Sequence, residues 1–406
     1  MQLRTTGILP VVLSVNGRKQ TVFRNFSCAV SRFMIFSDCS RNKLEQQYIS
    51  QRLLWSMENN RKLHLDLLRM IAIFLVIYNH TGITGCSYYY DIHDSFWHWP
   101  LMEIAFVMRS CIPVFFMISG ALLLGRNESL KDLYRKRILR FLIVLIAASM
   151  ITYLYNIRED FSQFSLWSFF YTLYSYEHSH SYWFLYQYLG WLMCLPLLRK
   201  MAQAMEDRDF FYLIIVALAV RLMTFVPIAF FGDPSSTSRY FTLFLLDNTV
   251  LFPLLGYYME QRMPDSAFNR KNAMILLAVF AAASIITLAA QNYWCSTVIN
   301  WELGGSEGYM LNLGFIPAIV LFYFSKSLFL HHKASRFWQK TITLFGSCSF
   351  GLYLFQHIYL IELDDMPLRN IFGTYFGTVL WVVEICILGT AVTFVLKQIP
   401  GVKKLL

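Results

Sequence analysis

The chain has 406 residues, of which 56% are hydrophobic, 17% aromatic and only 15% charged. Soluble domains carry about a quarter charged residues, so this composition excludes an ordinary soluble protein and predicts a polytopic membrane protein. The net charge of +10 would suggest nucleic-acid binding in a soluble protein. Here the uneven distribution of basic residues between loops explains most of it, and we expect no nucleic acid among the partners.

The first 56 residues differ from the rest of the chain. They show neither helical nor alternating periodicity, and their apolar runs are too short to cross a bilayer. Met57 opens a short polar, basic segment that leads directly into the first long apolar run. We therefore expect a poorly structured N-terminal extension over 1–56, with Met57 as the candidate true start, and a membrane domain over 57–406.

Apolar runs long enough for a membrane helix recur along the remaining chain. They predict an all-α, polytopic membrane helical bundle with about ten transmembrane helices in a bilayer. The predicted windows are 63–81, 101–124, 138–156, 181–198, 210–230, 239–259, 272–290, 309–327, 341–361 and 376–396.

Basic residues are concentrated in every second loop. The loops after the second, fourth, sixth and eighth windows carry clusters of Lys and Arg, as does the C-terminal tail. The intervening loops contribute only Arg158, Arg239 and Arg369. By the positive-inside rule this alternation places both termini in the cytoplasm.

The first window reads LHLDLLRMIAIFLVIYNH, with Asp66 and Arg69 toward the cytoplasmic end and His80 at the outer end. Arg69 and His80 are eleven residues apart, so they share a helix face at a separation of about 16 Å. Ionisable groups on one face of a membrane helix can line a common cavity and are typical of a pathway, relay or reactive site. The alternative is an ordinary i,i+3 pair of Asp66 and Arg69 at the interface, with His80 a plain terminal residue.

The second window contains Pro113, which predicts a kink or break, and Ser119, which permits close packing or lining of a cavity. Directly after it comes the basic segment LKDLYRKRILRF. This segment anchors the topology, and it also suits a phosphate-bearing ligand, because arginine binds phosphate through two parallel hydrogen bonds. Its four central cations are Arg135, Lys136, Arg137 and Arg140.

Two further titratable residues are predicted near the outer surface. Glu177 precedes the fourth window beside two histidines, and His357 lies in the ninth window at a depth similar to that of His80. A carboxylate beside an imidazole suits acid–base chemistry, although a polar loop is the plainer explanation. No group of residues has the spacing of metal ligands, so we expect no metal.

Several of these segments together resemble the integral membrane acyltransferase family 3. Arg69 and His80 fit the family's Arg-x10-His pattern, and Arg137 and Arg140 fit its cytoplasmic Arg-x-x-Arg motif. PVFFMISGALLL and SFGLYLFQH resemble segments of its second and ninth helices. Members of this family acylate cell-surface polysaccharides, glycolipids and related acceptors.

The resemblance implies a multi-pass protein of the plasma or inner membrane. It further implies acyl-CoA, most often acetyl-CoA, as the cytoplasmic donor and a hydroxyl of a surface glycan or glycolipid as acceptor. His80 would act as general base or transient acyl carrier, and Arg69 would steady the donor. The four cations of the basic segment would hold the CoA phosphates, with Asp66, Ser119, Glu177 and His357 in supporting roles.

A non-enzymatic transporter or flippase of a polysaccharide or lipid precursor is the alternative. It explains ten spans and buried charges equally well. It does not explain a basic cluster at one end of a helix whose other end carries His80.

Overall fold

A computed structural model describes residues 62–175, 178–231, 247–297 and 313–405. The predicted extension over 1–56, the candidate start Met57, Glu177 and Arg239 lie outside the described residues. Within the described residues the chain is helical and has no β-strand. The helices are α1 Leu63–Asn79, α2 His98–Met108, α3 Cys111–Leu123, α4 Leu130–Leu133, α5 Leu139–Asn156, α6 Leu166–Ser175, α7 Trp183–Ala204, α8 Asp207–Phe231, α9 Asn248–Tyr257, α10 Arg270–Thr297, α11 Phe315–His331, α12 Arg336–Glu362, α13 Met366–Phe372, α14 Thr374–Leu396 and α15 Pro400–Leu405.

Each predicted window overlaps at least one of these helices, although 239–259 and 309–327 lie partly outside the described residues. In the part of the chain that the structure describes, five segments are long and apolar enough to cross a membrane. They are His98–Leu123, Leu130–Asn156, Arg270–Thr297, Arg336–Glu362 and Thr374–Leu396. The all-α helical fold with membrane-length apolar helices is therefore confirmed, whereas the count of ten crossings, the side of each terminus and the division of the chain at residue 57 stay predictions.

The second predicted span is interrupted, as Pro113 led us to expect. α2 ends at Met108 and α3 begins at Cys111, so Arg109 and Ser110 separate the two helices. Pro113 is the third residue of α3. The first turn of a helix has no intrahelical acceptors for its N–H groups, so the missing N–H of proline costs nothing there.

α1 is the central helix of the bundle. It packs against α2, α3, α11, α12 and α14, and its Leu68, Ala72 and Ile77 are fully buried. A helix that is apolar on nearly all sides is buried on nearly all sides. Of its few polar side chains, Asp66 is fully buried and His64 contacts Glu260 at 2.8 Å.

α3 and α9 cross at very close range because glycines face the contact. A β-carbon at Gly120 would lie 1.9 Å from the Pro253 carbonyl oxygen, and one at Gly256 would lie 2.0 Å from the Met117 carbonyl oxygen. Small residues allow membrane helices to approach in this way. This crossing holds α3, which carries Ser119, in place.

We expect Gly256→Ala to destabilise the protein by about 1–3 kcal/mol, because the added methyl group forces α9 away from α3. Thermal unfolding of the detergent-solubilised protein measures the loss. Gly190→Ala is the matched control, since a β-carbon at Gly190 in α7 meets no atom of the described residues within 4 Å. Equal melting temperatures for the two variants would contradict the close crossing.

Candidate active site

A cavity of about 330 Å³ lies where α1, α3, α5, α7 and α12 meet, and we call it the basic cavity. Its walls are mostly apolar and aromatic, including Phe141, Tyr188 and Tyr353. Five residues predicted for the site line it together: Arg69, Ser119, Lys136, Arg137 and Arg140. Ser119 donates to the Phe115 carbonyl (2.9 Å), and its hydroxyl lies 3.4 Å from that of Tyr188.

The basic segment reaches the cavity through a π-helical turn over Tyr134–Ile138, which joins α4 to α5. Such turns are rare and occur often at functional sites. Arg137 and Arg140 are three residues apart and therefore share a face, which lines the cavity. Arg135 is exposed and does not line the cavity. Lys136 lines it and also pairs with Asp132 at 2.9 Å.

Glu128, in the loop before α4, holds two arginines together. Its carboxylate accepts from Nε of Arg137 (2.8 Å) and from Nη2 of Arg199 (3.0 Å), and Arg199 is itself buried and donates to the Leu123 carbonyl. Partial burial acts to raise the pKa of Glu128, but the two guanidiniums together hold that pKa below its ordinary value. The bond to Glu128 uses the Nε–H of Arg137, so its Nη groups can still bind an anion.

We expect Glu128→Gln to lower stability by about 1 kcal/mol at neutral pH, because the neutral amide loses the attraction of two guanidiniums. A carboxylate whose pKa is lower in the folded state stabilises the fold fully at pH values above its ordinary pKa of 4.5. The stabilisation is lost as the pH falls through the lower pKa of the folded state. The difference in melting temperature between wild type and variant should therefore shrink below pH 4.5. If the difference in melting temperature between wild type and Glu128→Gln stayed constant with pH, an ionic role of Glu128 would be contradicted.

The C-terminal helix α15 lies against the rim of the basic cavity. Arg140 donates from Nε (3.4 Å) and Nη2 (3.1 Å) to the carbonyl oxygen of Leu405, and Leu405 lines the cavity. These bonds orient the Arg140 side chain at the rim.

Asp66 orients Arg69. Their side chains form the predicted i,i+3 pair at 2.5 Å, and Asp66 is fully buried. Asp66 does not line the cavity. A β-carbon at Gly346 of α12 would lie 2.7 Å from the β-carbon of Asp66, so α12 packs directly on Asp66. The pair therefore places the Arg69 guanidinium at the cavity rather than letting it extend freely along the helix.

His80 lines a different cavity, of about 560 Å³, which we call the His80 cavity. Its walls combine Thr81 and Thr84 with Trp381 and with acidic residues that follow α12, among them Asp364. The two cavities share no lining residue. Arg69 and His80 therefore line separate cavities although they share a face of α1, because buried side chains fill the space between them.

Ser181 contacts one residue of each cavity through two different atoms. Tyr353, which lines the basic cavity, donates from its hydroxyl to the Ser181 carbonyl. The hydroxyl of Ser181 lies 3.4 Å from Nε2 of His80. Because Ser181 is buried, this contact lies on the protein side of the imidazole.

Comparison with known proteins decides the family. A family model described as an acyltransferase domain, acyltransferase 3, matches residues 63–397, which is most of the chain. The chain belongs to the acyltransferase 3 family. No match was found among curated proteins, and none among solved structures.

This acyltransferase is thus a membrane protein with two cavities on one central helix. His357 is half-buried on α12 and lines neither cavity, and Glu177 lies outside the described residues. Among the described residues no group of His, Cys, Asp and Glu converges as metal ligands do.

Sequence reasoning did not assign roles to Glu128, Ser181, Tyr188 or Tyr353. Two signals were present: Glu128 is the acid that directly precedes the basic segment, and Tyr353 lies inside SFGLYLFQH.

Proposed function

We propose that this acyltransferase moves an acyl group, with acetyl as the first candidate, from cytoplasmic acyl-CoA to a hydroxyl of a cell-surface polysaccharide or glycolipid. One observation carries the proposal: α1 presents Arg69 to a cavity rimmed by cations and His80 to a separate cavity about 16 Å further along the helix. A donor with phosphates at one end and a reactive acyl group at the other fits this arrangement.

The proposal includes a topology of ten crossings with both termini in the cytoplasm, in the plasma or inner membrane. The alternation of basic loops supports it. In this topology the basic cavity opens toward the cytoplasm, where acyl-CoA is made, and the His80 cavity opens toward the outside, where surface glycans lie.

The rim of the basic cavity is suited to the CoA phosphates. Arg137, Arg140 and Lys136 supply up to three cations there, and Arg69 of α1 supplies a fourth. Guanidinium groups bind phosphate with two parallel bonds, which fixes orientation as well as charge. The apolar and aromatic walls suit the uncharged arm that joins the phosphates to the thioester.

At His80 the chemistry is transfer of the acyl group from sulfur to oxygen. As a general base, the imidazole takes the proton of the acceptor hydroxyl, and the oxygen attacks the thioester carbon. The carbon–sulfur bond then breaks, and the CoA thiolate takes up the proton. As an acyl carrier, an imidazole nitrogen first displaces the thiolate, and the hydroxyl displaces the imidazole in a second step.

Acyl transfer by the purified protein in vesicles tests the proposal. Acetyl-CoA labelled in the acetyl group is added on the side of the basic cavity, with crude envelope glycan on the other side. We expect label to appear in alkali-labile esters of the glycan. A transporter or flippase would give no labelled glycan from acetyl-CoA, and that result would overturn the proposal.

A further inference from the structure

The helices α1 and α12 run side by side in the same direction and in matched register. Asp66 packs on Gly346. Three residues further along each helix, Arg69 and Ser349 both line the basic cavity. Fourteen residues beyond Asp66 and Gly346, His80 and Leu360 both line the His80 cavity. The two helices therefore form one wall that passes from the first cavity to the second.

The part of this wall between the cavities is tightly closed. On α1 it consists of Ile73 and Val76, each 2% exposed. On α12, Gln356 lies level with Val76 and is 1% exposed. Ser349, Tyr353, Gln356 and Leu360 follow the i, i+4, i+7, i+11 spacing of a single helix face. Gln356 thus lies on the face that connects the cavities, about 6 Å before the level of His80.

Gln356 is the unusual residue of this stretch. Both Nε2 and Oε1 of its amide are buried, and neither has a hydrogen-bond partner among the described residues. Buried amides are normally paired, because an unpaired one loses its bonds to water without replacement. A ligand with an amide group supplies a partner for such a side chain, because its carbonyl accepts and its N–H donates; in a trans amide these two groups point in opposite directions, so one ligand amide pairs with one of the two atoms.

We propose that Gln356 binds the amide of the acyl donor that lies nearest to the thioester, when the buried side chains between the two cavities move apart and admit the donor arm toward His80. This inference rests on the proposed function. In acyl-CoA that amide is separated from the thioester carbon by two methylene groups and the sulfur, a span close to the four-residue rise of about 6 Å between Gln356 and His80. Nε2 of Gln356 donates to the amide carbonyl. Bound in this way, the amide places the thioester carbonyl at the level of His80.

A comparison of two donors with two proteins tests this contact. The donors are acetyl-CoA and an analogue in which that one amide is replaced by two methylene groups; the proteins are wild type and Gln356→Leu. We expect wild type to prefer acetyl-CoA by about tenfold or more in kcat/KM, and Gln356→Leu to use both donors alike at the lower rate. A variant that keeps the wild-type preference would overturn the inference. Wild type that transfers nothing from acetyl-CoA would overturn the proposed function, and this inference with it.

Thermal unfolding separates a donor contact from a structural one. Without donor, Gln356→Leu should unfold at or above the wild-type temperature, because leucine removes an unpaired buried amide. Acetyl-CoA should then raise the melting temperature of wild type more than that of the variant. Gln291→Leu is the matched control, since the buried amide of Gln291 donates to the Tyr90 hydroxyl at 3.3 Å. It should lower the melting temperature and leave the donor preference intact. A Gln356→Leu variant that behaves like this control would show a structural role and overturn the inference.

Discussion

Replacing His80 with alanine is expected to reduce acyl transfer by about a hundredfold to ten-thousandfold, the usual contribution of a positioned acid–base group. His80 is the imidazole that lines the cavity at the far end of α1, and its Nε2 lies 3.4 Å from the Ser181 hydroxyl. The side chain is half-buried at the end of a helix, so its removal should leave insertion and melting temperature nearly unchanged. The measurement is the initial rate of label transfer from acetyl-CoA to envelope glycan.

Thr84→Ala is the matched control for this variant, because Thr84 lines the same cavity and carries no basic nitrogen. It should transfer at close to the wild-type rate. Transfer at that rate by His80→Ala would remove His80 from the mechanism.

An isotope-exchange experiment distinguishes the two roles open to His80. If the imidazole carries the acyl group, the enzyme without acceptor should exchange labelled CoA into unlabelled acetyl-CoA. If it acts only as a base, no exchange should occur until a hydroxyl acceptor is present. His80→Ala is the negative control in both experiments, because it lacks the imidazole.

The local features of α1 could be predicted from the sequence because they depend on helix geometry alone. The shared face of Arg69 and His80 follows from their spacing, and the pair of Asp66 with Arg69 follows from the i,i+3 rule. Likewise, Pro113 marks the interruption between α2 and α3 through its missing N–H and its ring. Each of these features involves residues within a few turns of one another.

The division of the space along α1 into two cavities could not be predicted in this way. It depends on which side chains of α7 and α12 fill the gap, and these come from segments more than a hundred residues away. Tyr353 and Ser181 meet through one hydrogen bond between α12 and the turn before α7. Glu128 contacts Arg199 across 71 residues. No periodicity in a single sequence encodes such contacts.

The double substitution Arg137→Ala with Arg140→Ala should raise the acyl-CoA concentration needed for half-maximal transfer by about a hundredfold or more. Bonds to charged groups contribute about 1.5–3 kcal/mol each, and two are lost. The rate at saturating donor should fall much less, because His80 is untouched in its own cavity. Arg135→Ala is the matched control: this arginine belongs to the same segment but does not line the cavity. Equal effects of the two changes would show that general surface charge, rather than a phosphate site, attracts the donor.

Acetyl-pantetheine, which lacks the nucleotide and its phosphates, tests directly whether Arg137 and Arg140 bind the phosphates of acetyl-CoA. Wild type should use acetyl-CoA at far lower concentration than acetyl-pantetheine, because only acetyl-CoA can engage the rim cations. The double variant should use the two donors at similar concentrations, since the groups that distinguish them are gone. Both proteins should transfer acetyl-pantetheine alike, because the remaining contacts lie along the arm and at His80. A double variant that still prefers acetyl-CoA as strongly as wild type does would place the phosphate site elsewhere on the protein.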